Sequence, residues 1–67
     1  MEIEEAVEKA IEFLERKGGH YIHRLVSVKI EEDVWKLEFD IGTFTKELVE
    51  LEIANETGRV LKYEEPR

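Results

Sequence analysis

The sequence has no cysteine, no glutamine, one proline and four glycines. Without cysteine there is no disulfide and no thiolate metal site to support so short a chain. That composition suits a reducing cytoplasm, which is the expected location. Basic residues are scarce: ten Lys and Arg stand against 17 Asp and Glu, a formal charge of −7. Phosphate binding needs clustered cations, so neither a nucleic acid nor an anionic membrane is expected as a partner. No apolar run approaches the length of a membrane span. Met1-Glu2-Ile3-Glu4-Glu5 is the opposite of a basic signal-peptide start, so no secretory segment is expected. Abundant Glu, Lys and Arg with a single Asn, at Asn55, is a composition common in thermophile proteins.

A chain of 67 residues has room for one domain over residues 1–67. It buries only about 60% of its unfolded surface, so its few apolar segments must close on one core. The most organised of them is Val34-Trp35-Lys36-Leu37-Glu38-Phe39-Asp40-Ile41. Its alternation puts Trp35, Leu37, Phe39 and Ile41 on one side of a strand and mostly charged residues on the other.

Before it, Ile3, Ala6, Val7, Ala10, Ile11, Phe13 and Leu14 recur at three-to-four spacing and predict an amphipathic helix over 2–17. Acidic residues in its first turn and basic ones in its last match the helix dipole. Glu5–Lys9 and Glu12–Arg16 are spaced for ion pairs. Gly18 is placed for the left-handed C-terminal cap, with Gly19 freeing the exit.

Strands are predicted at about 20–31, 34–42, 47–54 and 59–64. In the first, Ile22, Val26, Val28 and Ile30 share a face that Arg24 interrupts. Either this strand starts at Leu25 or a bulge near His23-Arg24 resets it. Glu32-Asp33 makes a two-residue turn, or a longer loop since Gly is missing there. Apolar matching pairs Ile30 with Trp35, Val28 with Leu37 and Val26 with Phe39. It also pairs Phe39 with Val49, Leu37 with Leu51 and Trp35 with Ile53. In the last strand, Leu61 and Tyr63 point inward. The expected fold is α+β: one N-terminal helix packed on a four-stranded antiparallel meander.

The outward residues then form rows. Lys36, Glu52 and Lys62 make a charge ladder. Glu38, Glu50 and Glu64 make an acidic row, solvated or bridged by a cation. Val34, Ala54 and Val60 make a small apolar patch. His20 and His23 are three apart, which on a strand sends two imidazoles to opposite faces, and no third ligand is near. No metal or cofactor is expected. Ser27 lacks His and Asp partners, and Gly18-Gly19 lacks phosphate-loop spacing, so no catalytic set is expected.

From Val26 onward the sequence resembles the PepSY domain. The resemblance rests on Val26-Ser27-Val28-Lys29-Ile30-Glu31, on Val34-Trp35-Lys36-Leu37-Glu38-Phe39, and on Glu52-Ile53-Ala54-Asn55-Glu56-Thr57-Gly58-Arg59-Val60-Leu61. The opening helix with Ala6 and Ala10 looks like that family's Ala-rich helix. The resemblance implies a non-catalytic module, of the kind thought to restrain peptidases as a propeptide part or to sit in envelope sensors. No peptidase, leader or span is expected with this chain, a departure from that context which weakens the case for an inhibitory role. Helix-plus-sheet layout is also cystatin-like, which raises a second reading: a ligand-binding or enzymatic domain. Its pocket would lie between helix and sheet, lined by residues such as Tyr63 or Arg24 beside Trp35.

The function expected is therefore protein interaction, with a partner protein or a second copy, through the sheet's outer face or an edge strand. The candidate contact residues are Tyr21, Leu25 and Phe44, with Val34, Ala54 and Val60 as a second patch. Phe44 stands near a hairpin tip; it either folds back over the sheet edge or meets a partner. Lys62, Glu64 and Pro66 blunt the last strand, which leaves the first as the open edge.

Overall fold

A computed structural model describes residues 1–65 of the chain; Pro66 lies outside the described residues. Helix α1 (Ile3–Arg16) is followed by β1 (Arg24–Glu31), β2 (Val34–Asp40), β3 (Leu48–Ala54) and β4 (Val60–Glu64). All pairings are antiparallel and the strand order is β1-β2-β3-β4. This is the expected α+β meander with one helix on one face. Among the described residues no helix is long and apolar enough to cross a membrane.

The helix forms where the apolar spacing placed it, with Glu2 as its N-cap and Lys17 as its C-cap. Ala6, Ala10 and Leu14 lie one turn apart and are wholly buried. Two alanines in that stripe let the helix backbone approach the sheet closely. They meet a core of Trp35, Leu37 and Phe39 from β2 and Val49, Leu51 and Ile53 from β3. The helix rests on these two central strands. Of the two predicted helix ion pairs, Glu12–Arg16 forms, at 3.6 Å with both side chains largely exposed, so it adds little. Lys9 instead lays its aliphatic stem near Gly58 in the β3–β4 turn, where a Cβ would stand 3.0 Å from its Cε.

The C-terminal cap differs from the expectation. Gly19 (φ 69°), not Gly18, takes the left-handed conformation, and the His20 amide closes the end on the Leu14 carbonyl at 2.8 Å. Gly18 is needed for space: a Cβ there would lie 2.8 Å from the His20 ring and 3.2 Å from the Tyr63 hydroxyl.

The β2–β3 register is as predicted throughout, with Trp35 opposite Ile53, Leu37 opposite Leu51 and Phe39 opposite Val49. The outer pairings hold at one end and slip at the other. In β1, Ile30 faces Trp35 and Val28 faces Leu37, but Val26 is an extra, bulged residue and Leu25 faces Phe39. Leu25 therefore belongs to the core-side row rather than the outer one. In β4, Tyr63 faces Leu51 as expected, but Leu61 is bulged and 56% exposed. Val60 takes its place opposite Ile53 and packs against the core. In each case one inserted residue reverses every side chain beyond it.

Glu32 and Asp33 form a two-residue turn with φ of 49° and 65°. Two consecutive positive φ values are the type I′ pattern that suits a twisted hairpin. No glycine is present to relieve the strain, so an outside contact holds the turn. Asn55 supplies it: its amide donates to the Asp33 carbonyl at 3.0 Å and its Nδ2 to Asp33 Oδ1 at 2.9 Å. Its Oδ1 also accepts from Trp35 Nε1 at 2.7 Å and from the Met1 amino group at 3.0 Å. One side chain thus joins the indole, the β1–β2 turn and the start of the helix.

Two outcomes follow. Asn55→Ala leaves the Trp35 indole N–H without its acceptor and costs about 1–3 kcal/mol in urea unfolding followed by Trp35 fluorescence. Glu32→Asn suits the positive φ better and stabilises by roughly 0.5–1 kcal/mol in the same measurement.

Candidate functional site

The loop between β2 and β3 is anchored at its base. Asp40 Oδ1 accepts from the amides of Gly42 at 2.9 Å and Glu47 at 3.1 Å. The Ile41 amide donates to the Glu47 carbonyl at 2.8 Å. Arg24, at the start of β1, places Nη2 3.3 Å from Asp40 Oδ2 and donates to the Gly42 carbonyl at 2.6 Å. Gly42 is buried, and a Cβ there would overlap the Thr45 carbonyl oxygen, so the loop depends on its absence. These bonds hold the Asp40 carboxyl below its ordinary range, chiefly through the Gly42 and Glu47 amides and then through Arg24.

At the tip of this tied loop Phe44 is 98% exposed. It does not fold back over the sheet edge. Thr43, next to it, shares a shallow hollow with Ile41 and with Gly19, His20, Tyr21 and Ile22. Tyr21, itself 74% exposed, is therefore on the same end of the molecule as the loop. Leu25 sits just beyond, next to Arg24 on β1. Of the candidate contact residues, Tyr21, Leu25 and Phe44 thus come together at one end. Val34 and Ala54 face each other at the opposite end and are half-buried. Val60 leaves that patch for the core side.

The outer face carries the predicted rows. Glu38 faces Glu50, which faces Glu64; Lys36 faces Glu52, which faces Lys62. Lys62 reaches both Glu64 at 2.8 Å and Glu52 at 3.9 Å, and Glu64 in particular holds its pKa up. Lys36 turns to Glu31 at 3.0 Å rather than to Glu52, which raises the lysine and lowers the glutamate. Among the described residues no three His, Asp or Glu are gathered as a metal site.

The two histidines part company. His23 Nε2 lies 3.0 Å from Glu15 Oε2, tying the start of β1 to the helix, and its ring stands edge-on to Phe39. Among the described residues, neither His20 Nε2 nor the Tyr63 hydroxyl, both buried, has a partner in hydrogen-bond geometry. Both flank Gly18, and Tyr63 packs edge-on against Phe13 at 5.2 Å. Burial raises the Tyr63 phenol, and the nearby Glu65 carboxylate adds to the shift. Arg24 and Tyr63 do not gather beside Trp35: Arg24 aligns with Asp40 at the far end of β2, and Tyr63 with Leu51.

No family model, curated protein or solved structure matches the chain.

The Asp40 anchor has a pH signature. An unfolded aspartate takes up its proton near 3.8, whereas the folded Asp40 holds it off to lower pH. The unfolded state then binds more protons, so this stabilisation is complete above that ordinary value and is lost as pH falls through the lowered folded one. Asp40→Asn is therefore less stable than wild type at neutral pH, and the gap closes through that acid window in urea midpoints measured against pH. A gap unchanged with pH means the carboxylate charge is not what holds the loop.

Proposed function

We propose that the chain is a small, non-enzymatic, cytoplasmic interaction module of PepSY-like form, which binds a protein through the Phe44 loop and the β1 edge. One observation carries this reading: Phe44 is almost fully solvent-exposed on a loop whose base is tied by Asp40 and Arg24. A large aromatic held out by a rigid base loses little conformational freedom on binding, and such residues dominate binding energies. Beside it, β1 offers an unpaired backbone edge with half-exposed apolar side chains. An edge strand plus an aromatic anchor is a common way to capture an extended segment.

The alternative, a ligand-binding or enzymatic pocket between helix and sheet, needs space that Ala6 and Ala10 take away. Both are fully buried against the central strands. Val34 and Ala54 remain as a small second patch on the outer face.

Phe44→Ala and Leu25→Ala are expected to keep the wild-type far-UV circular dichroism spectrum. Each should weaken capture of a host protein on an affinity matrix by about tenfold or more. If both variants associate as wild type does, this surface is not the binding one.

A further inference from the structure

Among the described residues, five of the eight exposed large apolar side chains, Tyr21, Ile22, Leu25, Val26 and Ile30, lie on β1 or in the segment leading to it. The helix rests on β2 and β3, so the core side of β1 is left half open. The strand is eight residues long and contains no proline, against five residues for the opposite edge strand, β4. Beyond the Val26 bulge its alternation is regular. Val28 and Ile30 align with the core residues Leu37 and Trp35, and Ser27, Lys29 and Glu31 lie on the outer side.

Charge is close to balanced along this edge. The whole chain carries −7, yet β1 holds two cations, Arg24 and Lys29, against one anion, Glu31. The pattern is also complementary to itself. Antiparallel pairing about a two-fold axis at Lys29 sets Val28 opposite the second copy's Ile30, both on the core side, and Ser27 opposite its Glu31. The two Lys29 ammoniums then meet across the axis. Each already has its own Glu31 at 3.7 Å and gains the other copy's Glu31 on the diagonal, within reach of long side chains.

We infer that β1 pairs with β1 of a second copy of this chain, joining two sheets into one of eight strands with both helices on the same face. This rests on the reading of β1 as an interaction edge and names its occupant. The Val26 bulge limits the pairing to Ser27–Glu31, and the edges left over are the short β4 strands with their Leu61 bulges. A two-fold contact of this kind closes on itself instead of growing into a fibre.

Sedimentation equilibrium of the whole chain across its soluble concentration range tests it. Wild type is expected to form a concentration-dependent dimer, and Ile30→Lys to raise its dissociation constant at least about tenfold by setting a charge on the paired core-side row. Lys29→Glu and Glu31→Lys, both at exposed sites, each weaken the dimer, and the double variant recovers it because both signs reverse in both copies. Phe44→Ala leaves it intact. A wild type that stays monomeric throughout, or a dimer indifferent to Ile30→Lys and to the charge reversals, overturns the inference. A monomer that still captures a host protein in a Phe44-dependent way overturns it while sparing the proposed function; loss of both removes both.

Discussion

One helix has to close the core of a four-stranded sheet. A helix with its side chains is about 10–12 Å across and strands lie about 4.8 Å apart, so a single helix covers two strands well and their neighbours poorly. The chain resolves this by seating Ala6, Ala10 and Leu14 on β2 and β3, and these three with six residues of those strands make up the buried apolar core among the described residues. Everything else follows from that choice of centre. The outer strands keep half-exposed apolar side chains, each gains a bulge, and the surface available to a partner is found at the rim.

Two polar side chains make the rim definite. At one end of the sheet Asn55 links Trp35, the β1–β2 turn and Met1. At the other end Asp40 gathers the Gly42 and Glu47 amides and Arg24. Each stands in for what local sequence does not supply. Glu32 and Asp33 adopt a turn that glycine would favour, and the 41–47 loop must return tightly after a strand. Bonds of this kind cost little to form beside a packed core and much to leave unmade, so they select one geometry among several with similar burial.

The bulges account for most of the differences between expectation and structure. Alternation of apolar residues located β2 and β3 and their register, because both strands are interior and one face of each is committed to the core. In β1 and β4 the pattern was ambiguous. Arg24 breaks the row in one, and Val60-Leu61 offers two adjacent apolar residues in the other. Either member of such a pair can be turned inward at similar local cost. The register sets Leu25 opposite Phe39 and Val60 opposite Ile53, and leaves Val26 and Leu61 as the bulged residues. The candidate site was legible to the extent that Phe44 and Tyr21 had no core role in the pattern; that they share one end of the molecule was not.

The sequence by itself determined the α+β class, the meander order, the interior strands and the absence of cysteine chemistry. These depend on periodicity and composition, which are local or additive. Only the tertiary structure decided which residue bulges, which glycine caps the helix, and that the single asparagine, in the β3–β4 turn, is also a hub. It also decided that Phe44 projects from an anchored loop. Those outcomes depend on contacts between residues far apart in the chain, such as Asn55 with Trp35 and Arg24 with Gly42, and no local pattern carries them.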